Sequence, residues 1–154
     1  MYAKILMLLN LVGFAFVASQ PLFYLLALAK AQKSLQAAAY IELRQLLDKN
    51  LQVSLRLVYY LTIITAVLLT VETFSTSFSL LFITSVIALA ALGIDVYLAL
   101  KGDMPINHII NQWNANNYPR HWQLLRRKWF YFFHIRQIAG ITGFTSLLVG
   151  AVFG

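Results

Sequence analysis

Apolar residues fall along this chain in four long runs, and the shorter stretches between them carry nearly all of the charge. The runs are Ile5–Ala29, Leu57–Phe74, Phe78–Leu100 and Trp129–Gly154, the last interrupted near its start by His134, Arg136 and Gln137. Each is close to the ~20 residues that cross a ~30 Å hydrocarbon core as a helix. No stretch alternates strictly between apolar and polar residues, as a membrane β-barrel requires. In lipid, every backbone N–H and C=O must find a partner within the chain, so runs of this length predict helices. The fold expected is all-α. It is a single integral membrane domain over residues 1–154, with membrane helices at about 5–29, 54–74, 77–100 and 129–153.

Between the runs, polar residues keep helical spacing. Glu42, Gln45, Lys49, Gln52 and Arg56 recur every three or four positions, Leu43, Leu47 and Leu51 lie on another face, and no Pro or Gly intervenes. Helix 2 is therefore expected to begin outside the membrane and run into it. After Leu100, GDMPIN reads as a turn with a proline suited to a helix start, and NQWNANNYP as a loop closed by Pro119. Helix 4 is then expected from about Arg120 through Phe153, so helices 2 and 4 extend beyond the membrane.

Composition agrees with this reading. The chain is 60% hydrophobic and 11% charged, with a mean hydropathy of +0.72, whereas a soluble domain carries about a quarter charged residues. Ile5–Ala29 is longer than the ~7–15 apolar residues of a secretory signal and is followed by no small-x-small cleavage site, so it is expected to be retained. The absence of cysteine excludes disulfides, thiolate metal sites and a cysteine nucleophile.

The placement of the +7 net charge sets an orientation. Lys30, Lys33, Arg44, Lys49 and Arg56 lie in or beside the first connection, and Lys101, Arg120, Arg126, Arg127, Lys128 and Arg136 in or beside the third. The second connection, FSTS, has no basic residue, and the amino end has only Lys4. The positive-inside rule then puts the first and third connections in the cytoplasm, expected here of a bacterial inner membrane, with both termini outside. Membrane lipid is the first partner this implies, since the same cations attract anionic headgroups; nucleic acid is not expected.

Residues 122–136, WQLLRRKWFYFFHIR, concentrate the chemistry. Trp122, Trp129 and Arg136 are seven apart and drift by only ~20° per step on a helix, with Arg126 and Phe133 on the same stripe. The basic head reads as an interfacial anchor in which Arg126 stacks on a Trp ring. Arg136 lies about 10 Å deeper than Trp129 at 1.5 Å per residue. Asp95, six residues before Lys101, falls at a matching depth. Buried membrane charges face the bundle interior and pair, so an Asp95–Arg136 ion pair is expected, with Arg56 as a possible third member. Such a pair either locks two helices or lines a polar pocket. Asn10, Gly13, Val17 and Gln20 form a stripe on helix 1 that suits interhelical contact, and Pro21 is positioned to kink that helix. Ala139, Gly143, Ser146 and Gly150 form a small-residue packing face on helix 4, and Glu72 is expected to be hydrated at the far end. His108, His121 and His134 make no metal-binding spacing with one another or with an acid. No metal or other cofactor is expected, although haem, a metal or a quinone stays open.

The combination of Pro105-Ile106-Asn107, W-x-x-x-R-R-x-W from Trp122 to Trp129, and Arg136 seven later resembles a small anthrone-oxygenase-like family of four-helix membrane proteins, mostly bacterial. The similarity is strongest over residues 103–140. Family members often carry a His four residues after the second Trp, where this chain has Phe133, with His134 displaced by one. The resemblance implies a cofactor-free oxygenase that converts an anthrone-like or hydroquinone-like aromatic to a quinone. That chemistry needs a base, a stabiliser of the developing oxyanion and an apolar slot. The matching residues here are Asp95 or His134 as base, Arg136 with Asn107 as stabilisers, and Trp122, Trp129 and Phe133 as the slot. The alternative is a non-catalytic membrane protein that binds a quinone-like lipid or assists a membrane complex. Transport is disfavoured by the few intramembrane charges and the lack of a repeated half.

Overall fold

A computed structural model describes residues 2–76, 79–114 and 116–154, with the backbone alone at 21, 22 and 76. It is an all-α bundle of four long helices: α1 (Tyr2–Ser34), α2 (Ala37–Thr73), α3 (Leu80–Asn111) and α4 (Trp122–Phe153). By length and composition all four are able to cross a membrane, and the chain is an integral membrane protein. Around the bundle α1 packs on α2, α2 on α3, α3 on α4 and α4 back on α1, with α3–α4 the most extensive seam. Successive helices run antiparallel. The α1–α2 and α3–α4 connections share the end of the bundle that carries the basic residues (the basic end); the α2–α3 turn and both termini share the other (the far end).

Helices 2 and 4 extend past the expected membrane segments, as their polar spacing predicts, and so do α1 and α3. The first connection is only two residues, Leu35 and Gln36, both with extended backbone. Lys30 and Lys33 therefore ride on the last turns of α1. GDMPIN, expected as a turn, is helical. A π-helical turn at Ala99–Asp103 carries α3 onward, and the Met104 N–H bonds to the Ala99 carbonyl. The wider π turn helps accommodate Pro105, which lacks an N–H and would crowd a normal α-helical turn. A matching π turn at Tyr24–Leu28 follows Pro21 in α1, which continues without a break.

At the far end, a 3₁₀ turn at Phe74–Thr76 closes α2, and Ser79 opens α3 by accepting the Phe82 N–H at 3.1 Å. The expected start of the third membrane helix at 77–78 lies outside the described residues. Two cores fill the bundle. One, toward the far end, is Met7, Phe14, Ala66, Leu69, Ala88, Leu92 and Leu147. The other, at the basic end, is rich in aromatics and includes Tyr24, Tyr40, Trp129 and Phe130. Gly143 lets α4 approach α1 and α3 closely, because a Cβ there would overlap the Phe14 ring.

Candidate functional site

The expected Asp95–Arg136 pair is present. Arg136 Nε donates to Asp95 Oδ1 at 2.7 Å, and Arg136 Nη1 donates to Asp103 Oδ2 at 2.6 Å. Tyr59 OH donates to Asp95 Oδ2 at 2.5 Å and accepts from Arg136 Nη2 at 3.1 Å. The guanidinium thus bridges two buried carboxylates and a phenol contributed by α2 and α3. The third member is Asp103, not Arg56. Arg56 is exposed on α2, where a long side chain carries its charge toward the headgroups instead of into the bundle.

Asp103 reaches this cluster because of the π turn. Eight residues separate it from Asp95, an offset of about 80° on a straight α-helix. One extra residue accommodated in a π turn reduces that offset to about 20°. Both carboxylates then face α4. Gly102 sits directly under the Phe132 ring, where a Cβ would overlap it, so glycine permits this approach.

Beside the cluster is a small cavity lined by Val17 and Gln20 of α1, Tyr59 of α2, Asp95 of α3 and Phe133, Arg136 and Gln137 of α4. Its volume is ≈ 10 Å³, at the threshold for one water. Gln137 is buried, and neither its Oε1 nor its Nε2 has a hydrogen-bond partner among the described residues. Leaving a buried polar atom unpaired costs about 1–3 kcal/mol, so this amide is a stored liability that a ligand can relieve. The helix 1 stripe supplies part of the wall. Val17 and Gln20 face the cavity, whereas Asn10 donates to the Thr62 carbonyl at 3.0 Å and to Thr65 at 2.9 Å, and Gly13 lies against Thr62.

Of the other expected site residues, Phe133 lines the cavity with Asp95 and Arg136, and the rest fall elsewhere. Asn107 is one layer toward the basic end, where it accepts from Arg44 Nη2 at 2.7 Å and donates to Asp48 Oδ1 at 3.0 Å. His134 turns back on its own helix, its Nδ1 2.6 Å from the Phe130 carbonyl, and does not line the cavity. Trp129 and Phe133 stack with centroids 4.7 Å apart, and Tyr24 packs edge-on against Phe133 at 4.5 Å. Trp122 is held between Tyr40 and Tyr118. Trp129 and Phe133 are thus packed with Tyr24, and Trp122 packs with two other tyrosines.

Arg126 stacks on Trp122 at 4.5 Å and donates to the Leu35 carbonyl at 3.1 Å, closing the α1–α2 break. The Trp129 ring is instead covered by Arg44 at 3.9 Å. Glu72 is exposed near the far end. Among the described residues, no three of His, Asp and Glu gather at metal-binding distance.

Asp103, Arg44, Tyr59 and Gln137 are the members that reading the sequence for chemistry passes over. Three have a visible signal: Gln137 interrupts an apolar run, Tyr59 lies near the start of one just after Arg56, and Arg44 sits on a helical face with Tyr40. No protein-family profile, curated protein or solved structure matches the chain.

Proposed function

We propose that this membrane protein binds the polar head of a lipid-soluble, quinone-like molecule in the basic-end third of the bundle. The unpartnered Gln137 amide on the cavity wall, beside the Arg136 guanidinium, carries this reading. An amide suits both redox states of such a head, since Nε2 donates to a quinone carbonyl and Oε1 accepts from a quinol hydroxyl. Arg136 adds positive potential for the ring oxygen. The cavity admits an oxygen atom but not a ring, so the ring would lie along the α1–α4 seam between Val17 and Phe133. The basic distribution supports placing the basic end in the cytoplasm and the termini outside.

Oxygenation of an anthrone at the same place is the second reading, supported by the resemblance over residues 103–140 and by Arg136 beside the cavity. It needs more rearrangement than binding does. Pockets for ligands of that size are roughly 300–1,000 Å³, and both Asp95 oxygens are already engaged.

Quenching of tryptophan fluorescence by a short-chain benzoquinone, measured on the detergent-purified protein, tests the binding reading. Saturable quenching is expected, and Gln137→Leu should weaken it about tenfold, the equivalent of ~1.4 kcal/mol. Non-saturable quenching, or equal affinity in the variant, would overturn it. Oxygen consumption on adding an anthrone in the same preparation would favour the oxygenase.

A further inference from the structure

Between the cavity and the basic end lies a second set of buried polar groups that head-group binding leaves unused. Gln32 Nε2, Tyr40 OH, Arg44 Nε and Trp129 Nε1 have no hydrogen-bond partner among the described residues, and their residues are 1%, 0%, 8% and 3% exposed. They come from α1, α2 and α4 onto the basic-end aromatic core. The Arg44 guanidinium lies over Trp129, and Gln32 accepts from Tyr24 at 3.0 Å. The fifth unpartnered atom here is Asp103 Oδ1 on α3, one helical turn before the Asn107 that Arg44 holds. Three of the five atoms only donate, Tyr40 can do both, and Asp103 only accepts. Buried groups of this kind are bridged by internal water.

The set connects in both directions. Outward, Arg44 Nη2 donates to Asn107, and Asn107 donates to Asp48, which also accepts from the exposed Asn111 at 2.7 Å. Inward, the second Asp103 oxygen holds Arg136. Arg44 and Asn107 keep their own hydrogens and pass no proton on, so a proton route from the exposed Asn111–Asp48 edge to Asp103 Oδ1 needs water alongside them.

We propose that internal water runs past Asn107 and Arg44 along these unpartnered atoms and delivers protons from the aqueous phase at the basic end to Asp103 Oδ1, so that protonation of Asp103 regulates the cavity. In that step an O–H bond forms on Asp103 and a hydronium ion becomes water. Arg136, previously shared by two carboxylates, then faces one, and its charge is freer for a negative oxygen on a bound head group. The charged and titratable groups around Asp103 are Tyr24 from α1, Tyr40 and Arg44 from α2, Asp95 from α3 itself and Arg136 from α4. The regulatory part rests on the binding reading above, whereas the water route does not.

Infrared difference spectra of the ligand-free, detergent-purified full chain, recorded between neutral and acidic pH in light and heavy water, test the route. The expected result is a component of the protonated-carboxyl band that grows as pH falls, shifts promptly in heavy water and is missing from Asp103→Asn when its spectra are subtracted from those of the parent, while the amide band in the same spectra reports that the variant is still helical. Tyr40→Phe and Trp129→Phe, which each remove a water partner, should keep the band and slow its deuterium exchange. The proposal is overturned by a carboxyl band undiminished in Asp103→Asn, or by exchange of the Asp103 component no faster than that of the most protected backbone amides. If the band behaves as expected but quinone quenching is not saturable, the route stands and the binding reading fails; the reverse result separates them equally well.

Discussion

The two ends of this bundle satisfy their polar groups in opposite ways. Toward the far end the hydroxyls turn back on their own helices: Thr70 on Ala66, Thr73 on Leu69, Thr84 on Leu80 and Ser85 on Phe82, each at 2.8–2.9 Å from the carbonyl. Most of the packing there is small residue against apolar side chain, and each helix could satisfy these groups before meeting its neighbours. In the basic-end half the partners come from other helices. Tyr59, Asp95, Asp103 and Arg136 join three helices, Arg44 and Asn107 join two, and seven of the eight buried side-chain polar atoms without a partner among the described residues lie there or on the cavity. One half satisfies these hydroxyls within its own helices and adds the Ser146–Thr84 and Thr73–Ser85 contacts between helices. The other holds charge and hydrogen-bonding capacity that closing the bundle does not use up.

Removing Arg136 breaks this contrast most directly. Arg136→Leu leaves Asp95 and Asp103 buried without their cation, and breaking a buried pair from one side costs about 3–5 kcal/mol. Thermal unfolding in detergent should show this as the largest loss of any single change in the bundle. Combining it with Asp103→Asn should recover part of the loss, because one uncompensated charge is removed. A loss of 1 kcal/mol or less would mean that the cluster is hydrated like a surface salt bridge.

The far end should fail by a different route. At Gly143 a Cβ would overlap the Phe14 ring and meet the Ala91 Cβ at 3.3 Å. Gly143→Val overpacks that seam and should cost about 1–3 kcal/mol, with quinone affinity unchanged. A weakened affinity in a variant that still folds would show that the two halves are mechanically coupled.

How far each half can be read from the residues follows from the same contrast. Asp95 and Arg136 stand out because each is a charge inside an apolar run, and counting residues from Lys101 and Trp129 puts them at one depth. The small-residue face of α4 and the α1 stripe follow from periodicity. Asp103 escapes such counting for two physical reasons. Gly102 and Pro105 on either side of it are turn signals, and on a straight helix it would point about 80° away from Asp95. The π turn removes both obstacles, and nothing in residue spacing specifies a π turn. Arg44 is hidden differently: among so many basic residues it looks like one more orientation signal, and only the tertiary fold lays it over Trp129. The aromatic slot is the converse case. Trp129 and Phe133 do share a stripe, but periodicity cannot show that Tyr24 from α1 fills the space in front of them.

The smallest effect is the sharpest test of the far-end half. Thr84 is 5% exposed, and its hydroxyl donates to the Leu80 carbonyl at 2.9 Å. That carbonyl keeps its α-helical N–H partner when the hydroxyl is removed, and Ser146 donates to the Thr84 backbone carbonyl, not to its side chain. Thr84→Val therefore removes a donor whose acceptor remains satisfied, preserves the shape packed against Gly150, and adds an apolar methyl in an apolar setting. Its unfolding temperature in detergent should match that of the parent chain to within about 0.5 kcal/mol of stability. A loss of 2 kcal/mol or more, the size expected when a buried partner is orphaned, would show that the far end also depends on hydrogen bonds between helices, and the contrast between the two halves would collapse.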